Sequence, residues 1–196
     1  PGGIRIVDTN NDGSLTPEDR VALGTPYPDF TWGITNTFQI KDFDISFLIQ
    51  GVQGITVLNG DVYYNETKKW NKKYTKNRWV SAEHPGDGKT PYQNVKTGHD
   101  LMLTDYPLQN ASYACLRNFT VGYTLPATAA RKIKLSGVRF YVSGSNLLYI
   151  WGSGYKGINP ESRMTSGNYS SAMISGYQRG GFPLTSTISA GFDINF

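Results

Sequence analysis

The final segment of the chain, residues 184–196 (LTSTISAGFDINF), alternates strictly between apolar and polar residues from Thr187 onward. Successive side chains of a β-strand point to opposite faces, so this spacing predicts a strand with one apolar and one polar face. A soluble sandwich covers such an apolar face with a second sheet, whereas an outer-membrane barrel turns it toward lipid and gathers aromatic residues at the interfaces. A last residue of Phe196 suits the barrel, but the segment alone leaves both structures open.

Composition excludes several other classes of protein. Cys115 is the single cysteine, so an internal disulfide framework and a cysteine-based zinc site with His84 or His99 are both excluded. The sequence has no run of 18 apolar residues that would predict a membrane-spanning helix. The net charge of +4 is modest and unevenly placed, which does not indicate a nucleic-acid-binding surface.

A tight hairpin is predicted over residues 30–51. Apolar residues fall on even positions of residues 30–40, except at Asn36, and on odd positions of residues 43–51. Two residues, Lys41 and Asp42, separate these alternating segments, which is the length of the commonest hairpin turn. Connections this short are typical of the periplasmic side of a membrane barrel.

Long and short connections alternate along the rest of the chain. Strands are predicted over residues 113–125 and 137–150, with one helical turn between them over 127–135, and no strand pattern persists over 53–110 or 151–183. Alternating loop lengths favour an up-and-down antiparallel barrel, so we predict an all-β membrane protein with about five strands. Five strands cannot close a barrel without unpaired edges in lipid, which predicts a piece of a larger protein.

The alternation also assigns residues to the two faces of the predicted sheet. We expect one set to face lipid or its interfaces: Phe30, Trp32, Phe38, Phe43, Phe47, Phe119, Val121, Phe140, Phe192 and Phe196. We expect Thr31, Asn118 and Ser143 to face the lumen.

A calcium-type loop is predicted near the start, over residues 8–19 (DTNNDGSLTPED). Its candidate oxygen ligands follow the spacing of calcium loops, with Gly13 at the sharp turn: Asp8, Asn10, Asp12, Ser14, Thr16 and Asp19. Position twelve holds Asp rather than the usual Glu, and no amphipathic helix leads into the loop. The alternative is an Asx-rich turn before a short helix, capped by Thr16, closed as a capping box by Asp19 and ended by Gly24, and both interpretations can hold at once. We expect the calcium to be structural.

Catalytic residues are not indicated by any motif. The two His have no motif-bearing nucleophile beside them, and Glu66, Glu83 and Glu161 lie in loops with nothing to pair them as acid and base. The middle segment interleaves aromatic and basic residues, of which Lys68, Lys72 and Lys76 also fit an exposed helical face. The prediction is therefore a protein that is not an enzyme.

Five motifs in order carry a family resemblance: DTNNDGSLTPEDRVALGTPYPDFTWGITNTF, DFDISFLIQGVQG, SYACLRNFTVGYTLP, VRFYVSGSNLLYI with GINPE, and the closing GFDINF. Together they resemble the C-terminal part of SusC/RagA-type transporters, the TonB-dependent outer-membrane proteins that import glycans or peptides. The resemblance covers nearly the whole chain apart from the middles of the long loops. Residues 114–115 and 117–118 depart from the family pattern.

The resemblance implies a bacterial outer-membrane location and a barrel of 22 strands around a plug. It implies transport of an oligosaccharide or peptide with a SusD-like surface lipoprotein as lid, and energy coupling through TonB by a segment that this chain lacks. Residues 1–28 are then an extracellular loop, and residues 29–196 the C-terminal strands with extracellular loops. The alternative is a soluble, calcium-dependent β-domain that binds carbohydrate.

Aromatic and amide side chains in the long loops are expected to contact the ligand or the lid, with packing on neighbouring loops as the alternative. The candidates are Tyr63, Trp70, Trp79, Tyr155, Asn159 and Tyr169.

Overall fold

The computed structural model describes residues 2–62, 77–92, 104–162 and 176–196. Its regular elements, in chain order, are β1 (Phe30–Ile40), β2 (Phe43–Gln53), β3 (Thr56–Asn59), β4 (Leu108–Asn110), β5 (Tyr113–Thr124), α1 (Ala127–Lys132), β6 (Gly137–Trp151), β7 (Tyr177–Gln178) and β8 (Thr187–Asn195). A 3₁₀ helix over Pro17–Asp19 precedes them. No helix in the described ranges is long and apolar enough to cross a membrane.

The chain divides into two compact units. The sheet unit comprises residues 28–53, 112–152 and 183–196, and the loop unit comprises 1–27, 54–111 and 153–182.

The sheet unit is a five-stranded antiparallel sheet in the order β1-β2-β5-β6-β8. Each strand pairs with the next one of the sheet along the chain, so the topology is up and down. One end of the strands, which we call the short-turn end, contains the turn at residues 41–42, the connection over residues 125–136 and the end of β8. The predicted all-β, antiparallel fold is confirmed, and within the described residues β1 and β8 are the free edges of the sheet.

One face of the sheet is apolar across all five strands. Phe38 pairs with Ile45, Ile45 with Val121, Val121 with Val142, and Val142 with Ala190. Because paired residues project to the same face, this register forms a continuous apolar row. The row beside it is hydroxylated on every strand: Thr37, Ser46, Thr120, Ser143 and Ser189. The predicted division of residues into two faces is therefore confirmed.

The apolar face stays exposed within the sheet unit. The exposed fraction is 50% for Phe140, 64% for Phe192 and 66% for Ile150. A contiguous exposed apolar surface of this extent indicates a region that a membrane or a partner protein covers.

A β-bulge at Arg117 was not predicted. The pairing of β5 shifts at Arg117 on both sides, against β2 and against β6. Before the bulge the apolar face takes the even position Leu116, and after it the odd position Phe119. The extra residue therefore absorbs a change of phase that would otherwise turn half of the strand over.

The connection between β5 and β6 contains the predicted helical turn. The helix α1 ends at Lys132, and Ala130 is its buried residue. The two-residue turn between β1 and β2 places Lys41 at a φ of 53°, in the left-handed region. Both short connections thus follow the prediction, with the helix shorter than the predicted range.

The loop unit contains a small sheet that was not predicted. Strand β3 pairs antiparallel with β4 and parallel with β7. These strands are two to four residues long, too short to carry a readable alternation. Val57, Asn59 and Tyr177 are buried in this unit. The long connections are therefore folded in part rather than structureless.

Candidate functional site

The Asp8 loop is a run of carboxylate-stabilised turns. The Asp8 carboxylate accepts the N–H of Gly13 at 2.8 Å and of Asp12 at 3.3 Å, while Asn10 Oδ1 accepts the N–H of Asp12 at 3.0 Å. The Asp12 Oδ1 accepts the N–H of Ser14 at 2.7 Å. Gly13, with a φ of 83°, supplies the left-handed residue that the sharp turn needs. The structure thus brings the first four candidate ligands into one turn.

Asp19 closes the loop through a capping box. Its carboxylate accepts the N–H groups of Thr16 and Thr9, each at 2.8 Å, while the Thr16 hydroxyl accepts the N–H of Glu18. The main-chain hydrogen bonds from Thr16 and Thr9 hold the pKa of Asp19 below its usual 3.8. The predicted capping box is confirmed, but the 3₁₀ helix ends at Asp19 and does not continue to Gly24.

The loop has the oxygen donors that calcium prefers, but its acidic side chains are not arranged around a common point. Oxygen donors from Asp8, Asn10, Asp12 and Ser14 are the type that a hard cation prefers. Within the described residues, however, no group of three or more His, Cys, Asp or Glu stands close enough to hold a metal ion. Both oxygens of Asp19 accept main-chain N–H groups, from Thr9 and Thr16, as both oxygens of Asp8 do from Asp12 and Gly13. Calcium binding therefore stays a prediction.

An ion pair joins two strands on the polar face of the sheet. Arg139 on β6 donates from Nη2 to Asp44 Oδ2 at 2.7 Å and from Nε to Asp44 Oδ1 at 3.0 Å. It also reaches Asp193 Oδ2 on β8 at 3.4 Å. Its guanidinium carbon lies 5.3 Å from the centre of the Tyr141 ring. This cluster ties β2, β6 and β8 together near the short-turn end.

A second polar cluster surrounds the bulge. Arg117 Nη1 donates to Asn146 Oδ1 at 2.7 Å and to the Tyr149 hydroxyl at 2.9 Å. With its amide oxygen turned toward the guanidinium, Gln50 accepts from Arg117 Nε at 3.0 Å. Both arginine clusters lie on the face predicted to line the lumen. The sequence alone did not indicate them, although Arg117 falls where the family pattern is broken.

Three of the predicted loop contacts are described, and their surroundings differ. Tyr155 is buried, and its hydroxyl donates to Gln178 Oε1 at 2.8 Å. Asn159 donates to the Phe182 carbonyl at 3.2 Å and accepts from the N–H of Glu161 at 2.9 Å. These contacts favour the alternative of packing within the loops for both residues.

Trp79 is half-buried. Its ring centre lies 6.4 Å from that of Tyr92, in an edge-on arrangement, and its indole rests on the open side of Gly2. The remaining predicted contacts lie outside the described residues: Tyr63, Trp70 and Tyr169. The predicted helical face of Lys68, Lys72 and Lys76 lies outside them as well.

Comparison with known proteins gives consistent results. The chain is 30% identical over 203 residues to the TonB-dependent receptor P3 of Formosa agariphila, a match that covers the whole chain and 19% of that receptor. It is 27% identical over 157 residues to the TonB-dependent receptor SusC of Bacteroides thetaiotaomicron, covering 80% of the chain and 15% of SusC. No protein-family model matches the chain.

The chain is related to TonB-dependent receptors of the SusC/RagA type. The fold agrees, since the RagAB peptide importer in its closed-closed state superposes with a TM-score of 0.67 at 18% identity, over 94% of this chain and 20% of that one. The RagAB peptide transporter gives a TM-score of 0.64 at 21% identity, over 88% and 18%. The recognition of a SusC/RagA-type protein is confirmed, and the chain spans about a fifth of the length of these relatives. The named relatives are receptors and transporters, in line with the expectation of a protein that is not an enzyme.

Proposed function

We propose that this chain forms part of the wall and outer loops of a TonB-dependent transporter in the bacterial outer membrane. The transporter imports an oligomeric nutrient, an oligosaccharide or a peptide, together with a SusD-like surface lipoprotein. In this proposal the rest of the barrel closes the sheet at β1 and β8, and a plug and a TonB-contacting segment belong to other parts of the protein.

The observation that carries the proposal is the two-faced sheet. Its apolar rows suit a lipid environment and its hydroxylated row suits a water-filled lumen. A soluble β-domain would need a second layer over Phe140, Phe192 and Ile150, and within the sheet unit these residues remain half or more exposed. The soluble carbohydrate-binding alternative is therefore the less favoured one.

The relatives support the direction of the proposal. Proteins named as TonB-dependent receptors match the whole length of the chain, and the structures of similar fold are titled as peptide transporters and importers. The choice between oligosaccharide and peptide rests on the loops. The short-turn end faces the periplasm in this proposal, so the long connections face outward, where the lid and ligand arrive.

A loop deletion in the full-length transporter tests the role of the long connections. Residues 63–103 would be replaced by a Gly-Ser bridge that retains β3 and β4, whose pairing holds the base of the loop together. If the loop contacts lid and ligand, co-purification of the lipoprotein or uptake of the oligomer should fall while the protein still reaches the outer membrane. Wild-type levels of both would contradict the assignment.

A point variant inside the loop, together with a check on assembly, separates loss of a loop contact from loss of fold. Replacing only Tyr92, which is exposed at the edge of the Trp79 ring, by Ala changes one loop side chain and leaves the connection length intact. Assembly is followed in both variants by the change in gel mobility that a folded barrel shows on heating. An effect on uptake counts only where that mobility change equals the wild type.

A further inference from the structure

A row of aromatic side chains crosses the sheet beside its short-turn end. Phe43 pairs with Tyr123, Tyr123 with Phe140, and Phe140 with Phe192. The Phe43 and Tyr123 rings lie 4.8 Å apart between centres. The exposed fractions of Phe43 and Phe140 are 48% and 50%. Aromatic side chains in such a row are typical of the boundary between the hydrocarbon of a membrane and its headgroups.

Basic residues stand immediately beyond this row. Lys41 lies in the turn between β1 and β2, and Arg131, Lys132 and Lys134 lie in the connection between β5 and β6. All four are exposed, and none forms an ion pair within the part of the chain that the structure describes. Asp42 is the carboxylate in these two turns, so together the two turns carry four cations and one anion.

The two turns lie together at the short-turn end of the sheet. The N–H of Thr124 donates to the Asp42 carbonyl at 2.8 Å, and the N–H of Ser136 donates to the Asn195 carbonyl at 2.8 Å. Ile133, between the cations, is 57% exposed. An exposed branched aliphatic side chain flanked by Lys132 and Lys134 suits the lipid interface better than bulk water.

The depth of Lys41 matches the headgroup layer. Ile40 pairs with Phe43 of the aromatic row, and Lys41 is the next residue along the chain. Lys41 therefore lies about 3 to 7 Å beyond the row along the strand direction. The headgroup region on each side of a bilayer is about 5 to 8 Å thick. The Lys41 side chain therefore places its charge among phosphates when the aromatic row marks the edge of the hydrocarbon.

We propose that Lys41, Arg131, Lys132 and Lys134 form a binding surface for anionic phospholipid headgroups of the leaflet at the short-turn end. The inference rests on the proposed function, because it takes the aromatic row as a membrane boundary. The surface orients the strands against the leaflet and recruits anionic lipid to the wall of the barrel. Each cation near an anionic surface strengthens binding about fivefold, and the effect weakens as salt screens it.

The test uses the full-length transporter in detergent, titrated with short-chain phosphatidylglycerol or phosphatidylethanolamine and measured by native mass spectrometry. The wild type should bind phosphatidylglycerol more tightly. The variant Arg131→Gln with Lys132→Gln and Lys134→Gln should lose affinity by about fivefold for each cation, or on the order of 100-fold in all. A control with equal charge change on the loop unit, Arg5→Gln with Arg20→Gln and Lys89→Gln, should bind as the wild type does.

A second variant keeps the test decisive if the triple variant does not assemble. Asp42→Asn removes the opposing carboxylate and should tighten phosphatidylglycerol binding by about fivefold. Unchanged affinity in Asp42→Asn and in the triple variant would overturn the proposal, as would full competition by inorganic phosphate. A triple variant that binds lipid normally but loses uptake would instead assign the surface to a periplasmic protein. Lipid binding does not require uptake, so failure of the transport proposal appears separately, as a wild type without uptake.

Discussion

Arg139 on β6 forms a two-point ion pair with Asp44 on β2, and the pair crosses the intervening strand β5 above Gly122. A Cβ atom at Gly122 would meet both the Asp44 carboxylate and the Arg139 guanidinium. The pair therefore depends on a residue without a side chain at that position. Because the two side chains are about one third exposed, the pair contributes at most about 1 kcal/mol to the free energy of unfolding.

Gly122→Ala should separate this pair. We expect Gly122→Ala to lower the free energy of unfolding of the full-length protein, measured by thermal unfolding in detergent. The decrease should be up to about 1 kcal/mol larger than the decrease that the same substitution causes in an Asp44→Ala background. The comparison between backgrounds matters because Ala in place of Gly also stiffens the unfolded chain. Gly33→Ala is the control, since the atoms nearest its Cβ lie at 3.9 and 4.0 Å. An equal effect of Gly122→Ala in both backgrounds would show that the pair does not depend on Gly122.

The two faces of the sheet should respond differently to a charge. Phe47 pairs with Phe119, which pairs with Gly144, so Phe47 and Ser143 lie at nearly the same depth on opposite faces. Phe47→Arg near the midplane of the lipid face should cost about 2 to 4 kcal/mol, and Ser143→Arg in the lumen much less. The measurement is the fraction of protein assembled in the outer membrane. Equal assembly of the two variants would mean that the register does not separate lipid from lumen.

Tyr155→Phe should loosen the loop unit. The Tyr155 hydroxyl donates to the buried Gln178 Oε1, and Gln178 Nε2 donates to the carbonyls of Ser162 and Pro160. Removing the hydroxyl takes a donor from a buried amide, at a cost of about 1 to 3 kcal/mol. In Tyr155→Phe, hydrogen exchange of the Gln178 side-chain amide should accelerate. The control Tyr27→Phe, at an exposed tyrosine of the same unit, should leave that exchange unchanged.

Calcium binding to the Asp8 loop should require its carboxylates. We expect calorimetry on the full-length protein to show calcium binding that Asp8→Ala with Asp12→Ala abolishes, and that Glu18→Ala, outside the ligand positions, leaves intact. Heat of binding that persists in the double variant would remove the assignment.

The capping carboxylate of the same loop gives a pH dependence. The folded-state pKa of Asp19 is lowered, so the stabilisation from its capping box is complete above the ordinary value of 3.8 and is lost as the pH falls through the lower folded value. Protection of the Thr9 and Thr16 amides from hydrogen exchange should follow that loss. Protection that falls well above pH 4 would contradict the capping role.

The positions of the strands in the five-stranded sheet and the two faces of that sheet followed from the sequence alone, because alternation at a spacing of two is a local property of an extended chain. Residues 30–40 and 43–51 show this, since their alternation and their two-residue turn are readable without any partner strand, and the structure extends the second strand to Gln53. The capping box of Thr16 and Asp19 was readable for the same reason, as both ends of the motif lie within four residues.

Only the tertiary structure decided what depends on partners distant in sequence. Asp44 and Arg139 meet because β2 and β6 flank β5, and Arg117 is left out of the pairing of β5 with both of these neighbouring strands. The burial of Tyr155 likewise follows from Gln178, which lies 23 residues away and pairs with it only in the folded loop unit. The periodicity of the sequence predicts on which face of the sheet a side chain lies, but it does not predict which strand is the neighbour. The clusters form between such cross-strand neighbours.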